Sequence, residues 1–181
     1  MKCLINIFLL TLLASGSGYA QIYTTRTGFI GFYSKTPLED IRAENKQVYA
    51  AIDLSQKTMA FMVLLKGFIF PKELMQEHFN ENYVESDKYP KATFSGIYTG
   101  NISSGKEAAY QVMVVGTLRL HQVARQIEVP ATLELKNGRL MGTAEFVIRP
   151  EDYNISIPSL VRDKIDKQLR IRIEVNCLIS K

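Results

Sequence analysis

Residues 117–135, "TLRLHQVARQIEVPATLEL", join two runs of alternating character. Leading into this stretch, Tyr110, Val112, Val114, Gly116, Leu118 and Leu120 are apolar or small, while the positions between them include Gln111, Thr117, Arg119 and His121. A period of two is that of a strand with one face buried. The rhythm resumes after 122–125, where Ile127, Val129, Ala131, Leu133 and Leu135 alternate with Glu128, Pro130, Thr132 and Glu134. The two runs predict a hairpin with its turn at 122–125 and with His121 on the face opposite the apolar one.

The same rhythm extends outward in both directions. Val48, Ala50, Ile52 and Leu54 share a face within 46–54, and 140–148 alternates after Asn137-Gly138, the dipeptide that most favours a two-residue hairpin turn. In 170–178, Ile171, Ile173, Val175 and Cys177 face one way and Arg170, Arg172, Glu174 and Asn176 the other. Segments 22–34, 58–70 and 92–101 complete about eight strands. Antiparallel strands with one apolar face each must stack as two sheets or close on themselves. Short helices are predicted at 71–83, opened by Pro71 and carrying Leu74, Met75, His78 and Phe79 on one side, and at 159–168. They would serve as a lid or plug for an open end.

The chain opens MKCLINIFLLTLLASGSGYAQ: a lysine, an apolar run from Leu4 to Leu13, then small residues at 18 and 20. This is the pattern of a cleaved secretory signal over 1–20, leaving 21–181 as one domain that is exported to the periplasm or beyond the cell. The apolar run is shorter than the roughly 20 residues a transmembrane helix needs, and no later segment is a better candidate. Cleavage would remove Cys3, leaving Cys177 without an internal disulfide partner and best read as a small buried hydrophobe. It would also remove Lys2, leaving 21 basic residues against 18 acidic ones. These charges are scattered, with no basic run that would suggest a nucleic-acid partner.

Catalytic and metal chemistry find little support. His78, His121 and Cys177 fall on different elements, and nitrogen–sulfur metal sites usually draw three or four ligands together. There is no nucleophile elbow and no phosphate-cradling glycine loop. Glu151-Asp152 sits at a turn, where acidic side chains commonly bond nearby backbone. The expectation is a non-enzymatic protein with no cofactor and no metal.

Three stretches, "YPKATFSG" (89–96), "GTLRLHQVARQIEVPATLEL" (116–135) and "FVIRPEDYNISIPSLVRDKIDKQLRIRIEV" (146–175), resemble in order the motifs of the YceI-like family of bacterial lipid-binding barrels. Those motifs are a Tyr-Pro-x-x-x-Phe strand, a Gly-x-Leu-x-x-His-Gly-Val-Thr hairpin and a closing strand pair after an Arg-x-Asp-Tyr-like turn. Gln122 and Ala124 depart from the family's glycine and threonine, and the first strand lacks the histidine that often follows it. The resemblance implies an all-β fold, an eight-stranded antiparallel lipocalin-like barrel with one or two short helices. It also implies a partner, an isoprenoid, an isoprenoid quinone or another long-chain lipid. Independently of the resemblance, a homodimer is an allowed assembly.

An eight-stranded barrel either fills with side chains or holds one small ligand. Gly116, Ala131, Gly142 and Ala144 are small residues on or beside the inward faces and would make room for a thin chain. The candidate ligand-binding wall is Ile30, Phe32, Phe61, Val63, Phe94, Val112, Val114, Leu118, Val129, Leu133, Phe146, Ile171, Ile173 and Val175. Periodicity does not distinguish such a wall from a filled core, so a barrel serving as an envelope interaction module without ligand stands as the alternative. For His121 the expected role is to brace the hairpin corner by a backbone hydrogen bond, ahead of contact with a ligand head group or catalysis.

Overall fold

The computed structural model describes residues 21–103 and 106–180, so the leader expected over 1–20 lies outside the described residues. Eight strands follow one another around a closed antiparallel barrel: β1 (Ile22–Lys35), β2 (Asp40–Asp53), β3 (Thr58–Leu64), β4 (Lys91–Thr99), β5 (Ala108–Leu120), β6 (Val123–Lys136), β7 (Arg139–Ile148) and β8 (Leu169–Ile179). Each pairs with its neighbours in sequence, and β8 returns to β1 through Ile30↔Ile173 and Phe32↔Ile171. Closure leaves no sheet edge exposed, which is how a single sheet buries one apolar face without a second layer.

The β5–β6 turn is tighter than alternation suggested. Leu120 pairs directly with Val123, so the loop is His121-Gln122 alone, both left-handed with φ of 49° and 64°. Two residues with positive φ match the twist of the flanking strands. Alternation predicts the turn at 122–125; the actual loop is shorter because His121 and Gln122 both adopt the left-handed conformation, which costs a side-chain residue about 1 kcal/mol. Asn137-Gly138 forms the same kind of turn, as its dipeptide predicts.

A second correction concerns 58–70. The strand stops at Leu64, passes through a 3-10 turn at Leu65–Gly67, and touches the sheet again only where Glu44 and Ile69 exchange both backbone hydrogen bonds. Buried Asn45 holds this detour: its Nδ2 donates to the Leu64 carbonyl at 2.9 Å, and its Oδ1 accepts from the Gln47 amide at 2.8 Å. Asn45→Ala strands both backbone groups, with an expected cost of about 2–4 kcal/mol. Urea denaturation would measure it; a loss below 1 kcal/mol would mean that water takes over both bonds.

Helical segments gather at one end. The helix expected over 71–83 is a short α-helix, α1 (Glu73–His78), that continues into a π-helical turn at Phe79–Tyr83. Segment 159–168 contains a 3-10 turn, Ser159–Lys164, in place of an α-helix. With the β1–β2 loop and the β5–β6 turn, the long connections at 65–90 and 149–168 cap this end. The other end has the short connections and a packed interior in which Ile52, Tyr98, Leu140 and Cys177 are almost wholly buried.

Burial of Cys177 pushes its thiol up from an ordinary value of 9.0 to about 11. The unfolded chain therefore releases this proton at lower pH than the folded one, and stability falls as pH rises from 9 to 11. The expected loss is about 2–3 kcal/mol. Burial also raises Tyr98 and Tyr153, so the cysteine's share is the part of the alkaline loss that Cys177→Ala abolishes.

Candidate functional site

A cavity of about 500 Å³ opens at the capped end and runs down the barrel. Its lower wall includes Ile52, Met59, Leu133 and Val175, and its sides include Phe61, Phe94, Val114, Val129, Phe146 and Ile173. The two long connections contribute Met75, Phe79, Tyr83, Ile155, Ile157, Val161 and Ile165. Ala131, Gly142 and Ala144 also line it, and a Cβ at Gly142 would stand 2.9 Å from the Val175 side chain and 3.2 Å from that of Leu133.

Thirteen of the fourteen wall residues named from the sequence line this cavity; Val112 does not. Val112 shares the inward face of β5 with Val114 but lies two residues nearer the packed end, about 7 Å along the strand, and is buried there. Gly116 departs from its expected role as well. It stands directly opposite Gly96, and the Phe94 ring occupies the space that a side chain at either position would take. The glycine pair lets two strands and a phenylalanine come close together and adds nothing to the cavity.

The lid is fixed by aromatic contacts. Phe32 on β1 meets Phe68, Phe70 and Phe79 with ring centroids 5.5, 5.6 and 5.5 Å apart, and Phe79 lies 5.1 Å from Phe70. Such pairs add about 0.5–1.5 kcal/mol each beyond area burial. This cluster seats the π-helical turn on the barrel wall. Phe68 and Phe70 belong to a segment read as strand, so alternation missed their role; the Met75–Phe79 spacing of four was the one visible sign of a packed helical face.

Charged groups cluster at the mouth. Lys72, just before α1, donates to Glu39 in the β1–β2 loop at 2.8 Å, tying the lid to the opposite rim. That hydrogen bond holds the Glu39 carboxyl below the usual carboxylate range, with Lys164 adding to the effect. Glu39, Lys72 and Lys164 all border the cavity.

His121 braces a corner, though not across its own hairpin. Nδ1 lies 3.1 Å from the Tyr153 carbonyl oxygen and Nε2 lies 3.0 Å from a Glu85 carboxylate oxygen, with the ring edge-on to Tyr89 at 4.4 Å. Both partners accept hydrogen bonds, so both ring nitrogens donate when the imidazole carries its second proton. Glu85 belongs to the β3–β4 connection and Tyr153 to the β7–β8 connection. One side chain thus joins the two segments that cap the barrel, and it is absent from the cavity wall. Among the described residues, no group of three or more His, Cys, Asp and Glu side chains is placed to hold a metal ion.

Fold and site together define a small antiparallel barrel with an apolar interior, hollow toward one helically capped end. The YceI-like domain model matches residues 23–177, and the chain belongs to that family. Solved structures with the same fold include a polyisoprenoid binding domain from Saccharophagus degradans implicated in plant cell wall breakdown, which is 15% identical with a TM-score of 0.76 over 89% of this chain and 99% of that one. Burkholderia cenocepacia BcnA is 15% identical, with a TM-score of 0.69 over 82% and 95% of the two chains. The Campylobacter jejuni YceI protein is 16% identical, with a TM-score of 0.60 over 77% and 84%. The comparison with curated proteins found no match.

Proposed function

We propose that this chain is an exported, non-enzymatic binding protein that holds a long-chain isoprenoid, an isoprenoid quinone or another lipid inside its barrel. Residues 21–181 would act as a single domain once a signal over 1–20 is removed. The observation that carries this reading is the apolar cavity of about 500 Å³ enclosed by strand side chains and lid. Membership in the YceI-like family supports it, as does the polyisoprenoid binding named for the Saccharophagus degradans domain.

Energetics favour an aliphatic occupant. Each buried CH₂ contributes about 0.8 kcal/mol, so one isoprene unit supplies about 4 kcal/mol gross. Association entropy offsets a large share, and two or three buried units suffice for useful affinity. Protein purified from its own host is expected to carry lipid, detectable by native mass spectrometry and by extraction. A preparation that arrives empty and binds no long-chain lipid on titration would sink the proposal. Recovery of a stoichiometric protein partner from envelope extracts, with no lipid, would favour the ligand-free envelope module instead.

A further inference from the structure

We infer that the capped rim of the barrel docks on a lipid bilayer, with leucines of three connections entering its interfacial region. The inference rests on the lipid-holding reading above and adds the surface through which lipid is exchanged. Leu38 in the β1–β2 loop is 67% exposed, Leu74 on α1 is 61% exposed and Leu160 on the 3-10 turn after β7 is 92% exposed. Large aliphatic side chains left in water in one contiguous region mark an interaction surface.

These leucines belong to one rim. Leu38 adjoins Glu39, which Lys72 grips two residues before Leu74; Leu160 adjoins Val161, and Leu74, Glu39 and Val161 all border the cavity mouth. The β7–β8 connection is itself tied to the end of β1, where the Asp166 amide donates to Ser34 Oγ at 2.8 Å. The exposed apolar rim is therefore continuous with the apolar cavity.

That continuity selects the occupant. A lipid leaving a bilayer for the cavity stays in apolar surroundings throughout if the mouth sits on the membrane, and must cross water if it does not. The side chains between the leucines fit the headgroup layer. Arg162 and Lys164 have aliphatic stems that can lie along inserted leucines while their charges reach phosphate. Glu39 is already engaged by Lys72, and Arg162 and Lys164 form no ion pair among the described residues; the acidic side chains nearby are Asp163, between them, and Glu73 and Glu77 on α1. At the opposite end the turns are polar, as in Ser55-Gln56-Lys57 and Asn137-Gly138.

Flotation with phosphatidylcholine vesicles, with and without phosphatidylglycerol, tests the inference. The wild-type protein is expected to float, more completely when phosphatidylglycerol is present. Leu38→Asp/Leu160→Asp, at two rim leucines that do not line the cavity, is expected to lower vesicle partitioning about 100-fold, roughly tenfold per leucine withdrawn from partial burial. The same variant keeps its affinity for cis-parinaric acid, a fluorescent fatty acid, so a lost fold or an occluded cavity is told apart from lost docking. Ile97→Asp/Leu178→Asp removes exposed aliphatics from the barrel side and the far end, and should change partitioning less than about twofold. Wild-type protein that binds cis-parinaric acid but does not float overturns the docking and leaves the lipid-holding reading standing. Equal losses in both double variants overturn it too, as does a non-floating dimer that the rim substitutions split. Flotation without any binding of long-chain lipid would instead fail the lipid-holding reading.

Discussion

Ala144→Phe is expected to close the barrel to long chains, lowering lipid affinity about a thousandfold while the protein stays folded. Ala144 lies on β7 between Ala131 of β6 and Ile173 of β8, and all three border the cavity. A phenylalanine ring there projects into space that a ligand tail would otherwise fill. Displacing about five carbons of that tail forfeits about 4 kcal/mol, which is the thousandfold. The fold has no comparable reason to suffer, because the ring enters a void and leaves packed side chains in place. Titration with cis-parinaric acid reads the affinity and thermal unfolding reads the fold. Val147→Phe, on the outward face of the same strand, serves as the control and should bind normally. Unchanged binding by Ala144→Phe would mean that the chain is not held in this cavity.

The largest loss of stability is expected from Gly116→Val. Gly116 faces Gly96 across the β4–β5 ladder, and a Cβ at position 116 would stand 2.6 Å from the Gly96 Cα and 2.6 Å from the Phe94 ring, and closer still to the Ser95 carbonyl oxygen. Two of these three obstacles are backbone and move only if the strands part. Overpacking of this kind costs about 3 kcal/mol or more, a large share of the roughly 5–15 kcal/mol that holds a domain together. Urea denaturation would register it. A loss under 1 kcal/mol would show that β4 and β5 separate easily and that the glycine pair is not needed for their approach.

Gly116 also marks where local pattern and three-dimensional arrangement part ways. Its place on the inward face of β5 followed correctly from alternation. Its role did not, because the group beside it is Phe94 on β4 together with Gly96, and no spacing within β5 refers to them. Val112 makes the same point: period-two alternation assigns a face but not whether the side chain borders the cavity, as Val114 does and Val112 does not. His121 was legible as a corner residue, yet its partners Glu85 and Tyr153 lie 36 and 32 positions away in sequence.

What a strand's own residues dictate was therefore available without coordinates. The alternation in β2, β5, β6, β7 and β8, the Asn137-Gly138 turn and the inward set of aliphatics follow from the two-residue repeat of an extended chain, a property of neighbours in sequence. Whether those inward side chains meet or leave a space depends on distances across the barrel and on what covers its end. The hollow, the phenylalanine cluster that seats the lid and the exposed leucines around the mouth all arise where segments distant in sequence come together. Local periodicity carries no information about those separations.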